Sequence, residues 1–432
     1  MARRVTRVEP QESRVVIAET LPSGLRVVTE AMPHVRSVTI GVWLSRGSRH
    51  ESEAESGIAH FVEHMLFKGT TTRSARQIAQ EIDSIGGQLD AFTSKEYAGY
   101  YIKVLDEHLT VALDLLGDML QRPAFAPAEI TREQGVILEE IKMVEDAPDD
   151  LVHEVFAQQC WPTHPLGRPI LGTPETVSSF EHRGLRNYFQ RTYVAPNLLV
   201  AAAGNLTHDR LRDVVSSALG DLQAGPPAEA VAPPLMSGGV AYRQKDIEQS
   251  HVCLGTPAYH QTHVDRHALH VLNTVLGGSM SSRLFQHIRE DRGLAYAVFS
   301  SLAMYSDTGM LMIYAGCANE RLAEVVDLSL QELRELRSNN VPEQELRRAK
   351  DHLKGSLMLN LESTSSRMTH LARQHMAFGK YYTLDELLAA IEAVSADDVR
   401  RVATDVFTEA AMAASIVGPA EASPLEAAQL RV

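Results

Sequence analysis

Two kinds of hydrophobic patterning run through this chain, one strand-like and one helical. Ser37–Ser45, SVTIGVWLS, alternates apolar and polar side chains, which predicts a strand buried on one side. TLPSGLRVVTE, from Thr20, sets a Pro-Ser-Gly turn between two strand-like runs and predicts a hairpin. HLTVALDLLGDMLQ (from His108) and LRDVVSSALGDL (from Leu211) instead space their apolar residues by three and four, as helices do. The two patterns intermingle without a strict βαβα rhythm. The fold class is therefore α+β, with mostly antiparallel or mixed sheets backed by helices.

The patterning breaks once. Residues 225–239, GPPAEAVAPPLMSGG, hold four prolines and three glycines and no hydrophobic period, and they read as a linker. It separates residues 1–224 from residues 240–432, and the two parts look like diverged copies. HFVEHMLFKG at His60 lies over HVLNTVLGGS at His270, and PAEITREQGVILEE at Pro127 lies over PEQELRRAKDHLKG at Pro342. Two separate matches at nearly one offset point to an internal duplication. The expectation is two homologous domains.

Composition narrows the function classes. Of 432 residues, 44% are hydrophobic and 22% charged, an ordinary globular balance. The formal net charge of −14 disfavours nucleic acid or an anionic membrane as partner and would tend to attract basic peptides. Three cysteines, Cys160, Cys253 and Cys317, are too few and too scattered for a disulfide framework or a cysteine zinc site, so a reducing compartment fits best. MARRVTRVEP has arginines without a following apolar stretch and does not read as a secretory signal, and Glu9 and Glu12 argue against a transit peptide. The longest apolar run, LLVAAAG from Leu198, is too short to span a bilayer. A soluble cytoplasmic protein is expected, with the mitochondrial matrix as the alternative.

The candidate chemistry lies in GIAHFVEHMLFKG. On a helix, His60 and His64 project ~40° apart and can share one metal ion, with Glu63 beside them, placed to take a proton from a metal-bound water. Imidazole suits zinc, and a catalytic zinc needs three protein ligands with one position left open. The order His-x-x-Glu-His is the inverted zincin signature. For the third ligand, EITREQGVILEEIKMVED offers Glu133, Glu139 and Glu140. Glu133 and Glu140 fall within ~20° of one helical face, so Glu140 is read as the ligand and Glu133 as a carboxylate orienting a histidine or the water. Taken alone, this segment reads better as a solvated acidic helix face.

HFVEHMLFKGT followed by EEIKM resembles the pitrilysin/insulinase family of inverted-motif zinc peptidases over nearly the whole chain. It is similar to the short members, among them the catalytic beta subunit of mitochondrial processing peptidase and its bacterial relatives. The resemblance implies two domains arranged as a clamshell, one Zn2+ per chain on His60, His64 and Glu140, Glu63 as general base and Glu133 in support of catalysis. SRLFQHIREDRGLAYAVFS resembles the family segment whose arginine and tyrosine, here Arg289 and Tyr296, reach the active site from the second domain. From the residues alone, Arg292 competes with Arg289, and the segment is an amphipathic helix followed by a strand. GGQLDAFTSKEYAGYYIKV (Gly86–Val104) resembles the family's substrate-binding edge strand, with Ala91, Phe92 and Thr93 on it; an interior strand is the alternative.

The second copy places His270, Asn273 and Thr274 over His60, Glu63 and His64, and Arg348 and Gly355 over Glu133 and Glu140. Only the first half should therefore hold metal, and expressed alone it should bind zinc yet cleave poorly. The implied activity is a zinc metalloendopeptidase acting on unstructured or presequence-like peptides. A non-catalytic partner or structural subunit of the same family is the rival, and a homodimer is left open.

Overall fold

The computed structural model describes residues 16–225, 231–419 and 430–432. Its first sheet comprises β1 (Val16–Thr20), β2 (Arg26–Ala31), β3 (Ser37–Leu44), β4 (Gln88–Thr93), β5 (Ala98–Leu105) and β6 (Leu198–Gly204), in the order β1-β2-β6-β3-β5-β4. The second comprises β7 (Gly239–Gln244), β8 (Gln249–Ala258), β9 (Ala295–Met304), β10 (Gly309–Ala318) and β11 (Ala413–Gly418), in the order β7-β11-β8-β10-β9. The sheets repeat one another. β2 runs parallel to β6 as β7 does to β11, and β3 and β5 pair antiparallel as β8 and β10 do. The edge strands β4 and β9 close the two series. The duplication read from the sequence is thus a duplicated topology.

Six helices bear on the site: α1 (Ile58–Leu66), α2 (Pro127–Asp146), α3 (Pro148–Cys160), α4 (Arg266–Leu276), α5 (Glu343–Asn360) and α6 (Thr364–Phe378). The duplication pairs α1 with α4 and α2 with α5. The hairpin read at Pro22–Gly24 joins β1 to β2, and both segments read as helical lie in helices, Leu109–Gln121 and His208–Leu219. Of the linker, residues 226–230 lie outside the described residues; residues 231–238 have no regular secondary structure and lead into β7.

The segment Ser37–Ser45 departs from expectation. It forms β3, but β3 is buried on both faces. Val38, Ile40, Val42 and Leu44 face the main core of the first half. The other face, read as exposed, is covered by α6 from the second half. Thr39 shares a hydrogen bond with Thr364 (2.9 Å), the Trp43 indole donates to the Met368 sulfur (3.1 Å), and a Cβ on Gly41 would lie 2.8 Å from that sulfur. In return, α3 from the first half packs on β7, β8 and β11, burying Val152, Phe156 and Cys160 against Cys253, Ala413 and Val417. Each half thus lends a helix to the other's sheet.

A second tie is ionic. The Arg49 guanidinium, 2% exposed, donates to Glu96 (2.7 Å) in its own half and to both Asp307 oxygens (2.7 and 2.5 Å) in the β9–β10 turn. All three cysteines are free and buried. No helix among the described residues is long and apolar enough to cross a membrane.

Candidate metal centre

The site begins with how α1 is held. Ile58, Ala59, Phe61, Val62, Met65 and Leu66 are buried, so the polar stripe of His60, Glu63 and His64 can emerge on one side only. Ahead of it, Gly57 adopts a left-handed conformation (φ 93°), and a Cβ there would lie 2.6 Å from the Leu171 carbonyl oxygen. The first turn is capped by Glu51, whose carboxylate oxygens accept the backbone N–H groups of Gly57 and Ala59, each at 2.8 Å. Burial pushes this carboxyl up to about 8, while the two N–H groups pull the other way.

α2 starts at Pro127, a residue suited to a first helical turn, and buries Ile130, Glu133 and Ile137. The next step of that stripe is Glu140, which meets the two histidines. Its Oε2 lies 3.7 Å from His60 Nε2 and its Oε1 lies 3.7 Å from His64 Nε2, and one donor atom from each of the three falls within 4.8 Å of the others. A 3.7 Å separation is too long for a hydrogen bond, yet close to the roughly 3.4 Å between neighbouring ligand atoms of a tetrahedral zinc. Glu140 Oε2 and His60 Nδ1 are buried with no hydrogen-bond partner. A buried carboxylate oxygen left unpaired is costly, and a cation between these donors would satisfy it. Burial, and then His64, push His60 down to about 4, which keeps its imidazole neutral and able to ligate. The donor set fits zinc.

Around this trio the carboxylates separate into distinct surroundings. Glu133, 2% exposed, accepts from His64 Nδ1 at 3.0 Å and pairs with Lys68 Nζ at 2.6 Å, leaving Nε2 of His64 facing Glu140. Glu139 points to solvent and pairs with Lys142. Glu63 has a different partner, and its Oε2 accepts the Thr93 hydroxyl at 2.5 Å. Burial raises Glu63 above the ordinary carboxylate range, with the Thr93 bond opposing.

Thr93 ends β4, which is an edge strand. Ala91 packs on the first core, whereas Phe92 projects to the other face, against Trp43 and Tyr97. Arg289 and Tyr296 lie together. Arg289 sits in a π-helical turn, Phe285–Glu290, where an ordinary helix was expected, and its guanidinium stacks over Phe285 (4.8 Å) and Tyr296 (4.9 Å). Tyr296 is 81% exposed, and no hydrogen bond or ion pair joins either residue to His60, Glu63, His64 or Glu140 among the described residues. Arg292 donates to the His287 carbonyl.

A family model described as "Insulinase (Peptidase family M16)" matches residues 26–174, and one described as "Peptidase M16 inactive domain" matches residues 179–353. The chain belongs to peptidase family M16. A Bacillus subtilis M16 relative named "Uncharacterized zinc protease" is 45% identical over 390 residues, covering 90% of this chain and 95% of its own. A Streptomyces coelicolor protein of the same description is 41% identical, covering 93% and 89%. Among solved structures, "a protease from Helicobacter pylori" superposes with a TM-score of 0.87 at 23% identity over 94% of this chain and 100% of that one. "Peptidase M16 inactive domain from Pseudomonas fluorescens" gives 0.89 at 20% identity over 95% and 100%. These last two support the M16 fold alone.

Two members of the site, Lys68 and Glu51, and one contact, that of Thr93 with Glu63, escaped sequence reasoning. Lys68 stands four residues after His64, a spacing that was a usable signal even though α1 ends at Leu66. Glu51 caps α1 from a preceding loop, and the Thr93 hydroxyl reaches Glu63 from another element; neither contact has a period.

Proposed function

We propose that this M16 chain is a zinc metalloendopeptidase acting on unstructured peptides in the cytoplasm, with one zinc per chain held by His60, His64 and Glu140. The observation that carries the reading is the convergence of those three donors, two of them on the helix that also carries Glu63, whose carboxylate is held by Thr93. Zinc bound there supplies a Lewis acid that polarises a carbonyl and lowers the pKa of water. Glu63 takes the proton of the attacking water and returns it to the leaving amine, a role its upward shift suits because a stronger base is a better acceptor. Thr93 holds the carboxylate in place. Glu133 fixes the His64 ring by accepting from Nδ1, so that Nε2 keeps its lone pair for the site.

In this reading the substrate lies extended along β4, pairing with the backbone of Ala91, Phe92 and Thr93, which are open to a partner because β4 is an edge. Arg289 and Tyr296 supply donors to the substrate's carbonyls from the second half. Their stack already orders both side chains, which lowers the entropic cost of using them.

The test is Glu63→Gln, which keeps the shape and removes the base. Zinc content should stay near one per chain, while hydrolysis of an unstructured peptide falls by ~10²–10⁴-fold. Wild-type protein that binds zinc but leaves every peptide of a random pool intact would instead identify a non-catalytic family member.

A further inference from the structure

The duplicated half has a hollow of its own where the first half has its metal cleft. α4 and α5, the counterparts of α1 and α2, together with α6, β9 and the β4–β5 edge, line a hollow of about 720 Å³ that is open to solvent at His270, Asn360 and Arg373. His270, the counterpart of His60, lines it, but Gly355 stands where Glu140 would be. The cavity wall contains Arg266, Arg373, His267, His270 and His370, and no Asp or Glu. The chain as a whole has 55 acidic against 41 basic residues, so this wall runs against the overall charge. Asp90, which accepts the Tyr101 hydroxyl at 2.9 Å, stands outside the lining.

The two arginines stand without neutralisation, Arg266 half-buried and Arg373 exposed. Arg266 lies over the rings of Phe378 (5.1 Å) and Tyr382 (5.4 Å) and donates to the His263 carbonyl, and the Arg373 side chain has no hydrogen-bond partner among the described residues. Neither pairs with a carboxylate among the described residues. Their field reaches the histidines. Burial and then Arg266 push His267 down to about 4, and burial, Arg367 and Arg373 do the same to His370. At neutral pH the wall therefore offers two unpaired guanidinium groups flanked by neutral imidazoles.

The cavity also meets the proposed peptide track. Phe92 lines it, while the next residue, Thr93, faces the opposite way and holds Glu63. A peptide paired with β4 presents successive side chains to opposite faces, so alternate residues turn toward the metal side and toward this cavity.

We infer that the Arg266/Arg373 cavity is a specificity site that takes carboxylate groups of the substrate, so that the enzyme favours acidic rather than basic peptides. This rests on the peptidase reading above. Two unpaired guanidinium groups in a partly enclosed hollow form charge-assisted hydrogen bonds with a carboxylate and gain nothing comparable from an amide. Among peptides, that carboxylate comes from an Asp or Glu side chain or from the C-terminus.

The experiment uses full-length, zinc-loaded protein and a set of unstructured peptides identical except for Glu against Gln near the scissile bond, and free acid against amide at the C-terminus. The pair that differs in rate identifies the source of the carboxylate. The preferred acid should be cleaved about tenfold faster in kcat/KM than its neutral twin. That ratio should fall toward one in Arg266→Gln/Arg373→Gln and in high salt, and Arg373→Lys should restore part of it. Equal rates within both pairs, or a preference untouched in the double variant, would overturn the inference while leaving the peptidase standing. If no peptide is cleaved, the peptidase reading fails separately. Fluorescence anisotropy of the labelled peptides on Glu63→Gln protein then decides the cavity, with tighter binding of the acid supporting it and equal binding refuting it.

Discussion

At the scale of single residues, α2 separates three glutamates that composition alone cannot tell apart. Glu140 faces two imidazoles with an unpaired oxygen, Glu133 is buried between His64 and Lys68, and Glu139 is solvated. Glu140→Ala should lose zinc, Glu139→Ala should keep both zinc and activity, and Glu133→Ala should keep the metal with a ~10–100-fold loss of rate. Metal analysis of the three purified variants, beside peptide hydrolysis, checks this; zinc lost from Glu139→Ala but kept by Glu140→Ala would refute the geometry. That Glu133 and Glu140 share a face and Glu139 does not was legible beforehand, because helical facing follows directly from spacing. Contacts between elements do not. The Thr93 hydroxyl on Glu63 and the Glu51 cap on α1 each depend on a fold that brings distant segments together, and no local pattern announces either.

At the scale of elements, the misjudged face of β3 has a single cause. An alternating strand reads as half-exposed when its cover comes from a helix more than three hundred residues away, as α6 does. α6 also carries Arg367, which donates to Glu30 of β2 at 2.5 Å with both side chains nearly excluded from water, at 6% and 2% exposure. Removing one partner of such a pair strands the other charge. Arg367→Ala should destabilise the protein by about 3–5 kcal/mol, whereas Glu30→Gln/Arg367→Met, which removes both charges, should cost less. Thermal unfolding of the two variants at neutral pH distinguishes the cases. If the double variant is as unstable as the single, the loss comes from packing of α6 rather than from an unpaired carboxylate.

At the scale of the whole molecule, the duplication suggests two independent halves, and the exchange of helices argues otherwise. Residues 1–225 contain every metal-centre residue, but without α6 they expose the face of the first sheet that buries Val28, Met32, Trp43 and Leu199 against Met368, Leu371 and Ala372. Side chains of this size stabilise by roughly 1.5–3 kcal/mol each when buried, and marginal net stability leaves no room for losing several at once. The same segment carries α3 away from the second sheet, leaving Cys253, Ala413 and Val417 uncovered in the remainder. This packing predicts a different outcome from the expectation that the first half alone binds zinc. Expressed by itself, the segment 1–225 should aggregate or unfold without a cooperative transition, and its zinc uptake should fall with it. Co-expressed with the segment 226–432, it should recover both, because the two exchanged helices then find their sheets and Arg49 finds Asp307. Size-exclusion chromatography, thermal melting and zinc content of each segment alone and of the mixture are the measurements. A monodisperse, sharply melting, zinc-loaded first half on its own would mean that α6 is an accessory to that sheet, and that the two halves fold separately after all.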